Sequence, residues 1–295
     1  MPAERHAAGP RPRRTGTAAT AALLAPTYLW LAVAVFLPLA GMLYFSLLTG
    51  VPAPHHPAAF TAENYLAFVR KPYLLHVAWR SLALGLWTTG LCALIGWPAA
   101  LALSRAVRGR ARDAIFLLTI LPFWTSGLVR VLSWTMVLAD HGLLDRALGA
   151  VIPGWRVSDL LYTFPAIVIG LVHAYLPYMI LTCYVSLAAI DPALIEAARG
   201  LGARAPVIFA RILLPISLPG LLSGAVLIFV PVIGSFMEPR ILGGRVGVTM
   251  GTVIEDQFTQ AFDWPLGAAL SFTMLAAVLL LFGVLYGASR LRPAA

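Results

Sequence analysis

Six long stretches of the chain are almost wholly apolar, and the charged residues fall in the gaps between them. The stretches run over roughly 19–48, 74–104, 114–139, 162–190, 212–237 and 265–289. Crossing the hydrocarbon core of a bilayer takes about 20 mostly apolar residues at a rise of about 1.5 Å each. Every stretch meets that length, so the pattern predicts an all-α membrane protein with six transmembrane helices. The first stretch is longer than the roughly 7–15-residue core of a signal peptide, which predicts a retained helix. Arg13-Arg14 ahead of it, a pair also found in twin-arginine signals, reads here as a cytoplasmic anchor.

The arginines orient the helices, because loops facing the cytoplasm collect Lys and Arg. With the N-terminus inside, the inner segments hold Arg5, Arg11, Arg13 and Arg14, then Arg105, Arg108, Arg110 and Arg112, then Arg199, Arg204 and Arg211, and last Arg290 and Arg292. Those are 13 of the 21 basic residues. The outer loops hold six over a greater length, and Arg80 and Arg130 fall inside spans. Both termini are therefore expected in the cytoplasm, with residues 1–18 as a basic tail and 19–290 as one six-helix domain.

Composition changes this picture only by exclusion. Charged residues make up 11% of the 295, hydrophobic ones 60%, and the mean hydropathy is +0.86. An ordinary soluble domain is roughly 25% charged, so a water-soluble globule and a disordered chain are both excluded. The two cysteines, Cys92 and Cys183, sit in apolar runs and make no disulfide framework. The net charge of +9 points to no nucleic-acid partner, since the arginines come in small groups between spans rather than on one face with aromatics. The sole lysine, Lys71, follows Phe68-Val69-Arg70 rather than a glycine-rich stretch, so the chain has no Walker A motif.

The first outer loop holds Pro52, Pro54, His55, His56 and Pro57, then Phe60-Thr61-Ala62-Glu63-Asn64-Tyr65, a turn leading into a short surface helix. Two adjacent histidines with no third ligand make no metal site. The loops at roughly 140–161 and 238–264 mix acids, aromatics and glycines and face either a delivery partner or water.

The segment between spans four and five carries the most chemistry. Asp191 suits a helix N-cap, Pro192 the first helical position, and Gly200 or Gly202 a left-handed stop. The result is a helix of about two to three turns, too short and too polar to span. Leu194, Ala197 and Ala198 share one face of it, with Glu196 and Arg199 off that face. Two alanines beside a carboxylate leave a low surface that another protein's groove can approach.

Glu196-Ala197-Ala198, then Gly202, then Ile212-x-Leu214-Pro215 resembles the EAA motif, Glu-Ala-Ala-x3-Gly-x9-Ile-x-Leu-Pro, of inner-membrane permeases in binding-protein-dependent ABC importers. All seven fixed positions are filled, in a loop that the arginines independently put inside. Further patches are similar to the spermidine/putrescine-type permeases: Gly96-Trp97-Pro98-Ala99, Leu121-Pro122-Phe123-Trp124-Thr125-Ser126, Asp140-His141-Gly142, Pro165-Ala166-Ile167-Val168, Ser235-Phe236-x-Glu238-Pro239 and Trp264-Pro265-x-Gly267. One departure is Thr252, where that family's pattern has Asn.

The resemblance implies the type I (MetI-like) importer permease fold and no enzymatic activity of the chain's own. It implies two ATPase subunits that hold the ATP and Mg, a second, homologous permease, and a periplasmic or lipid-anchored solute-binding protein, all at the bacterial inner membrane. The coupling loop 191–215 would dock in the ATPase, with Glu196 as a polar contact, Ala197 and Ala198 allowing close approach, Gly202 turning the chain, and Ile212, Leu214 and Pro215 anchoring its return. Solute would pass by alternating access about a midplane site.

Ionisable groups at membrane depth are functional candidates. Arg130 is the deepest, and a cation there suits an acid or a helix-end carbonyl better than a polyamine. Aromatic rings can carry an organic cation by cation–π contact, which selects Trp124, Trp134, Tyr175, Tyr178 and Phe236, with Glu238 and Asp256 as acids near the outer mouth. His173 suits a structural hydrogen bond, and Arg80 snorkels outward. The substrate is not legible in this spacing, so an importer for an opine, phosphonate or similar solute stays open. An ion-coupled secondary transporter would want intramembrane acids and paired broken helices, which the pattern lacks. No His-Glu-x-x-His or Gly-x-Ser-x-Gly supports an intramembrane enzyme.

Overall fold

A computed structural model describes residues 17–51, 59–151 and 160–290. The tail at 1–16, the His55-His56 segment, Arg156 and Arg292 lie outside the described residues. In chain order the helices are α1 (Thr17–Ser46), α2 (Glu63–Arg70), α3 (Pro72–Arg105), α4 (Arg110–Ile120), α5 (Gly127–Leu138), α6 (Leu143–Val151), α7 (Phe164–Ala188) and α8 (Pro192–Gly200). They continue with α9 (Ala205–Ile208), α10 (Leu214–Ile233), α11 (Met237–Gly243), α12 (Met250–Thr259) and α13 (Trp264–Arg290). The five spanning stretches at α1, α3, α7, α10 and α13 fall where the apolar runs put them, within a few residues.

The stretch at 114–139 differs. It is not one straight helix: Arg110–Trp124 and Gly127–Leu138 meet at 99°, and only counted together do they reach the length and apolarity of a sixth span. Pro122 lacks an N–H and tightens Leu121–Trp124 into a 3-10 turn. Thr125 is extended, and its N–H and hydroxyl both reach the Pro122 carbonyl, at 3.4 and 2.8 Å. The helix restarts at Gly127.

The centre of the bundle is α3, α7 and α10, packed through small residues as helices in lipid are. A Cβ on Gly96 would meet Met179, on Gly224 the hydroxyl of Thr182, and on Gly220 the Thr182 carbonyl at 2.6 Å. A second apolar cluster joins α3, α10, α12 and α13. The two ends of the bundle differ in kind. Arg105 and α8 share one end. At the other end, Arg80 of α3 donates to the Val246 carbonyl, and the Ser81 hydroxyl accepts from the Met250 N–H at 2.8 Å.

Candidate functional site

The loop at 191–215 is built from local caps. The Asp191 carboxylate accepts from the Ala193 N–H at 2.9 Å, and Pro192 starts α8. At the far end Gly202 takes φ +82, the Gly202 N–H donates to Arg199 O at 2.9 Å, and the Ala203 N–H donates to Ala198 O at 3.0 Å. That pair of bonds is a Schellman motif, and it makes Gly202 rather than Gly200 the turning residue. The chain then passes through α9 and a π turn, Phe209–Leu213, where the Leu214 N–H reaches back to Phe209 O. Leu214 and Pro215 open α10.

The apolar arc of α8 divides in two. Ile195 and Ala198 pack against the bundle's own core, whereas Leu194 and Ala197 are exposed and Leu201 is 89% exposed. Leu194, Ala197 and Leu201 recur at helical spacing and form an outward stripe, flanked by exposed Glu196 and Arg199. Ile212 and Leu214 also pack against the core, so the return of the loop is anchored in the bundle. Pro215 is exposed.

The loop is held at both flanks by α3. Arg105 Nη2 donates to Leu187 O at 2.9 Å and Ile190 O at 2.8 Å, capping α7 just before Asp191. Trp97 Nε1 donates to the Ser217 hydroxyl at 2.9 Å, and its ring meets Phe209 edge-on at 5.0 Å. Sequence reading counted Arg105 only as charge and passed over Ser217, because neither partnership leaves a local signal.

The pathway candidates separate into three groups. Arg130 and Trp134 of α5 line a cavity of about 340 Å³ with Thr125, Ser133 and His173. Arg130 Nη1 lies 3.5 Å from the Pro122 carbonyl, its Nε is buried without a partner, and Trp134 meets His173 edge-on at 5.4 Å. A second group is a ring series: Phe123 to Tyr178 at 4.6 Å and Tyr178 to Tyr175 at 5.9 Å, with Tyr175 in electrostatic reach of Glu238 and Arg130. Glu238 accepts from the Ser235 hydroxyl. Phe236 precedes α11 and is exposed, and Trp124, at the α4–α5 break, is 87% exposed.

Asp256 stands apart. It pairs with Arg240 at 2.6 Å, beside Glu255 at 2.5 Å, so its carboxylate braces α11 against α12. The hydrogen bond to Asp256, with both carboxylate charges, holds the Arg240 pKa above its ordinary value. At the start of α12, Thr249 and Thr252 cap each other: Thr249 N–H to Thr252 Oγ1 is 2.9 Å, and Thr252 N–H to Thr249 Oγ1 is 3.4 Å. The threonine that departs from the family pattern thus makes the cap itself.

A family model described as the binding-protein-dependent transport system inner membrane component matches residues 92–291. The chain is 35% identical over 265 residues to the spermidine/putrescine transport system permease protein PotB of Escherichia coli, covering 89% of this chain and 94% of that protein. It is 34% identical to PotB of Haemophilus influenzae, covering 89% and 91%. Among solved structures, a chain of a bacterial ABC transporter involved in the import of the acidic polysaccharide alginate has a similar fold. The TM-score is 0.70 at 19% identity, over 93% of this chain and 96% of that one.

Proposed function

The chain belongs to the family of binding-protein-dependent transport system inner membrane components, and from that footing we propose that it is the permease subunit of an ATP-driven importer for spermidine and putrescine. It works as a multi-pass inner-membrane protein beside a second permease, above two ATPase subunits, and receives solute from a binding protein on the outer face. ATP and Mg belong to the ATPases. Lys71, the chain's one lysine, lies between α2 and α3, at the end opposite α8.

The observation that carries this reading is α8: a short helix capped at both ends, standing outside the apolar spans, with Leu194, Ala197 and Leu201 turned outward beside Glu196. An ATPase cleft takes that stripe, and the Schellman turn at Gly202 fixes its angle to the bundle. Ala198 supports the helix from behind, and Ile212, Leu214 and Pro215 lead the chain back. Closure of the ATPases on ATP then moves α8 and rocks the bundle between inward- and outward-facing states.

For the solute, the ring series Phe123, Tyr178 and Tyr175 leads toward Glu238, an arrangement suited to an organic cation. Trp134 sits apart from that series, against His173, and Trp124 and Phe236 are exposed. One observation favours a second reading. The Arg130 side chain lines the cavity beside His173, and its positive charge suits a solute bearing a carboxylate or phosphonate.

Uptake of radiolabelled spermidine by vesicles holding the complete importer tests the class, and identifying the ligand retained by its binding protein tests the solute. Spermidine retention is expected; retention of an opine or phosphonate overturns the polyamine assignment. Glu196→Lys, which reverses a charge beside the docking stripe, and Gly202→Asp, which adds one there, are expected to abolish uptake with membrane insertion intact. Unchanged uptake in either removes the docking role of α8.

A further inference from the structure

From the two tethers described above we infer that α3 is the strut that receives the coupling stroke, with Arg105 and Trp97 as the positioning residues that fix it to the two flanks of the coupling loop. The inference rests on the docking reading of α8. Arg105 holds the entry: one Nη2 is shared between Leu187 O and Ile190 O, and Ile190 is the residue before the Asp191 cap. Trp97 holds the exit, through the Ser217 hydroxyl and the Phe209 ring. The two lie eight residues apart on one continuous helix, about 12 Å at the helical rise.

Neither contact is one that water can replace cheaply. Trp97 and Ser217 are fully or nearly buried, and Arg105 is half-buried with an Nε that has no partner. A guanidinium spanning two helix-end carbonyls makes charge-assisted bonds at the last turn of α7, where Leu187 O also accepts from the Ile190 N–H at 3.3 Å. A displacement of the loop's flanks, at Leu187–Ile190 and at Phe209 and Ser217, relative to α3 therefore breaks bonds, whereas a displacement of flanks and α3 together does not.

The same helix reaches the opposite end of the molecule. Ser81 lies 24 residues from Arg105, about 36 Å along the axis. There its hydroxyl is bonded to the Met250 N–H, and the neighbouring Arg80 to the Val246 carbonyl. So one continuous helix, with Pro98 in its interior, is bonded to the loop that meets the ATPase and to the segment between α11 and α12. Movement imposed at one is delivered to the other through α3.

The test is the number of spermidine molecules imported per ATP hydrolysed by the complete importer in proteoliposomes. In Arg105→Met the ATPase subunits are expected to stay bound while this ratio falls about tenfold. Arg105→Lys, which keeps the donor and the charge, is expected to recover at least half of it. Trp97→Phe keeps the ring but removes the N–H and is expected to lower the ratio about threefold. If Arg105→Met gives no folded permease, Trp97→Phe decides on the same ratio. A wild-type ratio in Arg105→Met or Trp97→Phe overturns the assignment, as does a lysine variant no better than the methionine one. Loss of the ATPase subunits from an inserted Arg105→Met permease also overturns it, by making the residue merely structural. Failure of the docking reading is separate: it shows as normal uptake in Glu196→Lys.

Discussion

Each end of the bundle is tied by an arginine, and the two ties differ in kind. Arg105 is half-buried and gives its bonds to backbone carbonyls at 2.8 and 2.9 Å. Arg240 is 42% exposed and gives its bonds to two carboxylates at the surface. Backbone acceptors are fixed in place by the helix that carries them, so the first tie transmits position. Exposed carboxylates are flexible and screened by salt, so the second adds little and tolerates movement. The Arg105 tie is stiff and the Arg240 tie is not, so at the outer end it is Arg80 and Ser81, bonded to the Val246 carbonyl and the Met250 N–H, that fix α3 in place.

The sharpest way to break this contrast is at Gly202. Its φ of +82 has open space around it, so side-chain volume is not what excludes other residues. A β-branched residue there costs at least about 1–2 kcal/mol in the left-handed region. Gly202→Val is therefore expected to lower uptake about tenfold or more, whereas Gly202→Asn, which tolerates that conformation, is expected to keep most of it. Equal uptake in the two variants, measured at matched permease levels, would show that the Schellman turn is not what sets the angle of α8.

Next in size is the N-cap of the same helix. Asp191→Ala removes the acceptor for the Ala193 N–H and should cost about 1 kcal/mol, or about fivefold in affinity of the permease for its ATPase. Asp191→Asn should restore it. Titrating ATPase onto detergent-solubilised permease reads the difference, and an alanine variant with wild-type affinity would mean that α8 is held by its packing through Ile195 and Ala198 alone.

These two residues also mark what the sequence could reveal. Caps and turns depend on neighbours within a few positions, so Asp191, Pro192 and Gly202 announce themselves, and so do apolar runs long enough to cross a bilayer. Which edge of α8 meets the bundle depends on residues far away in the chain. The arc of Leu194, Ala197 and Ala198 is apolar throughout, and only the packed bundle separates Ala198 from its neighbours. The α4–α5 break had a signal in Pro122 and Thr125-Ser126-Gly127, but helices in lipid tolerate proline, so composition alone did not settle it. The pairing of Asp256 with Arg240 left no local sign in the sequence, because the two are 16 residues apart. Arg105 and Trp97 were hidden for the same reason at greater distance.

At the outer end the expected effects are smaller. Thr252→Val keeps the shape of a buried side chain but removes the oxygen that accepts from the Thr249 N–H. It should lower the stability of the solubilised permease by about 1 kcal/mol. Thr252→Asn supplies another acceptor at the third helical position and should stay within about 0.5 kcal/mol of wild type. Thermal unfolding in detergent separates the two. Identical melting of Val and wild type would mean the cap does not hold α12.

The smallest effect belongs to Arg240. It meets Glu255 and Asp256 and also lies 3.5 Å from the Thr252 carbonyl. Exposed pairs of this kind are worth about 0–1 kcal/mol each, because the charges stay largely hydrated and two long side chains must be held still. Arg240→Gln keeps a donor for the Thr252 carbonyl but leaves two like charges beside one another, so a modest loss at low salt is the expected result. At about 1 M salt the screening length falls to about 3 Å, and the variant should then melt with the wild type. A loss that persists at high salt would mean that the brace acts by shape rather than by charge. The Arg240 brace would then be as stiff as the Arg105 tie, and the contrast between the two arginines would fail.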